Sequence, residues 1–205
     1  GVRLVGSEMC IRDSIYDEFV DEVVSITKTL IQSNDCKGDV GPTFWDKQIE
    51  IIEDHVKDAI DKGAKVLVGG KRNPNFDGLY FEPTVLTEVT HEMKIMKDET
   101  FGPIISIMKV SSEEEALMLA NQSHYGLNGN VWTKDLVKGK KLAQSIETGA
   151  CSVNDMAMSY GVNEVPFGGV KESGLGVVNG EEGLLAYAHA MPIIIGKKSA
   201  SAYPY

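Results

Sequence analysis

Apolar residues recur along this chain with two different periods, and the period switches many times. Tyr16, Phe19, Val20, Val23, Ile26 and Leu30 return every three or four positions. That spacing places them on one face of an α-helix and predicts a helix over 15–31, with Ser14 and Asp17 as a capping-box start. Trp45, Ile49, Ile52, Val56 and Ala59 predict a second helix, opened by Thr43 with Asp46 and stopped at Gly63. Lys65-Val-Leu-Val68 reads as a short buried strand ended by Gly69-Gly70. The stretch 80–86 reads as extended, and Pro83 points to an edge or irregular position there. Residues 104–110 form the strongest strand pattern of the chain.

Further on, Ser112 with Glu115 caps a predicted helix to about 122. A strand is predicted over 130–133, a helix from Asp135 to 149, a strand over 151–154, a helix over 180–189 and a last strand over 192–195. Strands alternating with helices argue for an α/β fold with a mostly parallel sheet and flanking helices.

Composition narrows the class. A chain of 205 residues, 42% hydrophobic and 24% charged, can bury a sizeable core as a globular protein. Its net charge of −10 gives no electrostatic footprint for nucleic acid, and an anionic membrane would repel it. No apolar run approaches the roughly 18 residues of a spanning helix. Residues 1–14 also lack the apolar stretch of a signal peptide. Cys10, Cys36 and Cys151 are an odd number without paired spacing, which argues against a disulfide framework or zinc site and for a reducing, cytoplasmic setting. His55, His91, His124 and His189 show no ligand spacing, so no metal is expected.

The first fourteen residues are set apart from the rest. The chain opens on Gly1 rather than Met, and Ser7-Glu-Met-Cys-Ile-Arg-Asp-Ser14 resembles a peptide obtained when sequencing-adapter DNA is translated.

Two blocks carry candidate chemistry. The first is Glu99-Thr-Phe-Gly-Pro103, running directly into the strong strand. Read alone, Glu99 is a solvated carboxylate in a turn and Phe101 a core aromatic. The second is Pro166-Phe-Gly-Gly-Val-Lys-Glu-Ser-Gly-Leu-Gly176, whose glycines suit a loop needing positive φ. It is not a dinucleotide fingerprint, because its glycine spacing is wrong and no clear strand precedes it.

Together and in this order, the blocks resemble the C-terminal part of the aldehyde dehydrogenase catalytic domain. Further segments agree in sequence order: Ile15-Tyr-Asp-Glu-Phe19, Gly63 to Gly70, Glu82-Pro-Thr-Val-Leu86, Tyr125-Gly-Leu127 and Val131-Trp-Thr-Lys-Asp135. The resemblance covers about 15–197. It implies a partial catalytic domain over 15–190, truncated at its N-terminus, and an oligomerisation strand and tail over 191–205.

By the same resemblance, Glu99 accepts hydrogen bonds from the nicotinamide ribose of NAD or NADP. A carboxylate suits a diol because it is acceptor-only and can take both hydroxyls. Phe101 would pack beside the nicotinamide or ribose. Gln48 matches a residue near the adenine ribose; three residues later, where many family members carry lysine, this chain has Ile51. Phe167 would line the aldehyde tunnel, and Met156, Met158 and Tyr160 fall in the variable segment before it, where their side chains suit an apolar pocket.

The family's nucleophilic cysteine and general-base glutamate lie upstream of the matched region. The local signature of the nucleophile is absent around Cys10, so no catalytic residue is assigned. The expected function is oxidation of an aldehyde to a carboxylic acid with NAD(P), represented by a fragment inactive alone. Its partners would be a small-molecule aldehyde and, in the intact protein, further copies of the chain; neither nucleic acid nor membrane is expected. The alternative is a non-catalytic binding or assembly module that keeps the fold.

Overall fold

The computed structural model describes residues 7–156 and 161–195. The chain divides into two compact units, Gly1–His124 and Tyr125–Tyr205.

The first unit is built on a four-stranded mixed sheet, in which β1 (Ser7–Arg12), β4 (Ile104–Val110), β3 (Thr84–Thr87) and β2 (Lys65–Val68) lie side by side in that order. β1 and β3 both run parallel to β4, and β2 is antiparallel to β3 with an irregularity between Val66 and Val68. The sheet is therefore mostly parallel, as the alternation of elements predicts. Two helices, α1 (Asp13–Thr29) and α2 (Asp46–Asp61), bury the sheet's apolar residues in two separate clusters.

The two-residue period of the strands sorts side chains between those helices. Leu86, Ile104 and Met108 pack with Ile49, Ile52, Val56 and Ala59 of α2, while Val85 and Ile107 pack with Tyr16 and Val20 of α1. Each fully buried large aliphatic side chain contributes about 1.5–3 kcal/mol by leaving water. Phe81 and Met93, from the connections around β3, complete the α2 cluster.

Several local expectations are corrected. Neither α1 nor α2 has a side-chain hydrogen bond at its N-cap, where Arg12 and Trp45 stand, so the capping boxes proposed from Ser14 and Thr43 do not form. Trp45 lies outside the apolar face and is exposed. β3 starts after Pro83 and is a central strand buried at every position, because Pro83 precedes the ladder and removes no hydrogen bond from it. β1 occupies residues for which no element is expected. Gly63, by contrast, does end α2, with φ of +102°, and α3 (Glu113–Asn121) is capped by Ser112 Oγ, which accepts from Glu115 N at 3.0 Å.

The second unit contains two small sheets. β5 (Tyr125–Gly126) pairs antiparallel with β8 (Val170–Lys171), and β6 (Asn128–Val131) runs parallel to β7 (Ala150–Val153). Helix α4 (Leu136–Ala143) starts at Asp135, whose Oδ1 accepts from Val137 and Lys138. It ends well before the expected 149. Gly139 on this helix has no room for a side chain, since a Cβ would lie 2.8 Å from Val153 Cγ1 of β7. Helix α5 (Gly180–Leu185) is shorter than predicted. Residues 192–195 are not a strand in this structure: among the described residues they have no ladder partner, and apolar character alone does not make a strand.

Candidate functional site

The sequence Glu99-Thr100-Phe101 lies between a short 3-10 turn, Lys94–Met96, and the start of β4. Its side chains alternate in exposure. Glu99 is exposed, Thr100 is 5% exposed and Phe101 is 51% exposed. The inward residue is held by α2. Gln48 Nε2 donates to the Thr100 carbonyl at 2.6 Å, and His55 Nδ1 is hydrogen-bonded to Thr100 Oγ1 at 2.9 Å. Gln48 and His55 are seven residues apart, close to two full turns, so they share one side of the helix. Both are buried, at 7% and 6% exposure.

The following two residues are fixed from other directions. Gly102 lies against Ile52 of α2. The Gly102 carbonyl accepts from Ile104 N, and the Pro103 carbonyl accepts from Thr84 N of β3, both at 2.8 Å. The corner is thus tied to α2, β3 and β4 together. Such support can hold the backbone at Phe101 in the left-handed region, with φ of +43°. For a non-glycine residue that conformation costs roughly 1–2 kcal/mol, and it persists only where neighbours over-determine it.

Among the described residues, no hydrogen bond or ion pair holds the Glu99 carboxylate. Partial removal from water raises its pKa above the ordinary 4.5. Glu8, on β1, is raised as well, first by desolvation and to a smaller extent by the charge of Glu99. Burial pushes the His55 imidazole below its ordinary 6.5, an effect that Asp98 and Asp54 oppose, so the ring is neutral at pH 7.

Cys10 and Cys151 show the opposite of nucleophile activation, which needs a lowered thiol pKa. Cys10 is raised by burial and then by the charges of Glu115 and Glu8, and Cys151 is raised by burial. All three cysteines are free, and among the described residues no cluster of His, Cys, Asp and Glu could hold a metal ion.

In the second unit, Phe167 is half-buried, and its backbone exchanges two hydrogen bonds of 2.8 Å with Val178. This pairing closes the glycine-rich loop. Lys171 on that loop bonds Glu147 at 3.0 Å. Gly149 packs so tightly on the Gly168 carbonyl that no side chain fits there. Met156 is exposed. Met158 and Tyr160 lie outside the described residues. The structure therefore brings Glu99, Phe101 and Gln48 together at one corner and places Phe167 in the other unit. In the sequence, His55 was weighed only as a metal ligand and Thr100 was given no role. Their one legible signal was the seven-residue interval from Gln48 to His55.

Comparison with known proteins agrees with this architecture. The family model described as "Aldehyde dehydrogenase family" matches residues 4–192, starting ahead of the expected 15. The chain belongs to the aldehyde dehydrogenase family. It is 36% identical over 199 residues to 4,4'-diapolycopene aldehyde oxidase of a Methylomonas species, covering 95% of this chain and 37% of that protein. Betaine aldehyde dehydrogenase from Staphylococcus aureus, solved in complex with NAD+, superposes with a TM-score of 0.81 at 36% identity, over 89% of this chain and 37% of that one. An aldehyde dehydrogenase of Mycobacterium tuberculosis complexed with NAD+ gives 0.81 at 37% identity, over 86% and 37%. The chain spans little more than a third of the curated relatives it matches, 36% of one and 38% of another. Among the described residues, no helix is long and apolar enough to cross a membrane.

Proposed function

We propose that the protein carrying this segment oxidises an aldehyde to a carboxylic acid with NAD or NADP, and that the segment holds the nicotinamide ribose. The observation that carries this reading is the Glu99 carboxylate, exposed and without an ion pair while the backbone beside it is tied to three elements. A pre-positioned, acceptor-only group suits a ribose diol. Phe101, half exposed on the same side of the alternation, would limit nicotinamide motion by contact. The resemblance assigns Gln48 to the adenine ribose, but its burial and the donation of its Nε2 to the Thr100 carbonyl favour a role in supporting this corner instead. When bound, the cofactor supplies the hydride acceptor. This chain's part is to orient it and keep its ribose in place.

Phe167, Met158 and Tyr160 are assigned to the aldehyde side by resemblance to the family. Residues 191–205 are assigned to assembly between copies, a reading supported by Met191, Ile193, Ile194 and Ile195, each at least 77% exposed. Three free cysteines fit a reducing, cytoplasmic setting. Because the family's nucleophile signature is absent around Cys10, the isolated chain is expected to catalyse no aldehyde oxidation.

The test is steady-state kinetics on the full-length protein. Glu99→Gln keeps the shape and removes the charge, so the KM for the cofactor should rise by about tenfold or more, as for loss of a charge-assisted hydrogen bond. An unchanged cofactor KM, or turnover by the isolated chain that survives Cys10→Ala, would overturn the reading.

A further inference from the structure

We propose that Thr100 is the positioning residue of the cofactor corner, and that its two-point clamp from α2, by Gln48 and His55, sets the directions of Glu99 and Phe101. The proposal rests on Glu99 and Phe101 being the cofactor contacts.

The Thr100 carbonyl and the Phe101 N–H belong to one rigid plane. The 2.6 Å bond from Gln48 Nε2 to that carbonyl fixes the orientation of the plane. Orienting the plane fixes one side of the φ rotation at Phe101, which stands at +43°. A free chain would relax from that region, so something must hold the plane against relaxation. The Gln48 bond is placed to do so.

The side chain supplies the second point. Thr100 Oγ1 meets His55 Nδ1 at 2.9 Å, and both residues are buried. That contact stops Thr100 from rotating about the chain axis, and rotation there would swing its two neighbours together. A valine would fill the same volume, so packing alone does not call for a hydroxyl at this position. Leaving a buried polar partner unsatisfied is costly, which explains why the two groups stay together. Gln48 and His55 project from one rigid helix, so the two points cannot drift independently. Ile52, between them on α2, meets Gly102 and completes the seat.

A merely structural clamp and a positioning clamp differ in what they alter. The first changes stability alone. The second changes cofactor affinity in protein that is still folded. The experiment uses the full-length protein with Thr100→Val, His55→Phe, the conservative Thr100→Ser, and Glu99→Ala as reference. NAD binding is titrated by intrinsic fluorescence, thermal melting checks folding, and ring-nitrogen NMR follows His55 without cofactor.

Thr100→Val and His55→Phe should each raise the NAD dissociation constant by about tenfold, the size expected for losing one buried hydrogen bond. The KM for NAD should rise while kcat changes little. Thr100→Ser should recover both NAD binding and the His55 nitrogen shift, which Thr100→Val alters. If Thr100→Val does not fold, His55→Phe and Thr100→Ser decide the matter in the same way. The proposal is overturned if Glu99→Ala weakens NAD binding while Thr100→Val and His55→Phe, both folded, bind NAD like the parent. If Glu99→Ala itself leaves NAD binding unchanged, the cofactor corner is misassigned and this proposal falls with it.

Discussion

Gly102 and Ile52 meet so closely that a Cβ on Gly102 would lie 2.7 Å from Ile52 Cδ1 and 2.8 Å from Ile52 Cγ1. Ile52 is completely buried, so moving its side chain aside means displacing core neighbours. The glycine therefore sets how near the Glu99–Pro103 corner can approach α2. Gly102→Ala should destabilise the protein by about 1–3 kcal/mol, the usual cost of overpacking a filled core. Urea denaturation measures this directly. Gly41→Ala is the control: a Cβ there meets nothing within 4 Å, and the change should stay within about 0.5 kcal/mol.

Phe101 separates stability from function. Its φ of +43° is strained for any residue with a Cβ. Phe101→Gly relieves that strain, whereas Phe101→Ala keeps it. After the extra flexibility of glycine in the unfolded chain is subtracted, the glycine variant should be the more stable of the two by about 0.5–1 kcal/mol. Both should bind NAD more weakly than the parent, since both remove the ring. Denaturation midpoints and cofactor titration of the pair check the two halves. A glycine variant less stable than the alanine variant would contradict the strain assignment.

With Glu99 as the proposed ribose contact, its raised pKa predicts a direction for cofactor binding with pH. Only the ionised carboxylate accepts from both ribose hydroxyls. Because its pKa stands above the ordinary 4.5, protonation begins at higher pH than for a solvated glutamate. NAD affinity should therefore fall as pH drops, and the fall should begin at higher pH than for a solvated glutamate. Glu99→Gln should bind NAD weakly at every pH and lose this slope. A parent and Glu99→Gln pair with the same slope would rule out Glu99 as its source.

His55 makes a matching statement about stability. Its folded pKa is depressed below 6.5, so the unfolded chain binds more protons as pH falls through 6.5. Stability rises with pH wherever the unfolded state binds more protons. The contribution of a neutral His55 is therefore complete above about 6.5 and is lost progressively below it, down to the folded value. Denaturation of the parent between pH 7 and pH 5.5 should show this loss, and His55→Phe should show less of it. Opposite slopes would contradict the sign.

Much of the first unit was legible in the sequence because its signals are local. The strand Ile104–Val110 is bounded by Pro103 and apolar toward both helices, so its limits could be read directly. The buried face of α2 follows from the spacing of Ile49, Ile52, Val56 and Ala59. β1 was not legible, because Glu8 and Arg12 break the apolar pattern of a strand whose identity depends on a partner nearly a hundred residues away. Residues 192–195 show the converse: they are apolar, yet no strand forms without a ladder partner. At the corner, Glu99 and Phe101 were found through family resemblance. The clamp beneath them was not, since hydrogen bonds spanning 45 and 52 residues leave no mark in any short window.

The most direct test of the central claim is a crystal structure of the full-length protein with NAD. The account predicts both hydroxyls of the nicotinamide ribose within about 2.5–3.0 Å of the Glu99 carboxylate oxygens, with the Phe101 ring against the nicotinamide or its sugar. A ribose held by other groups, with Glu99 turned to solvent, would contradict it.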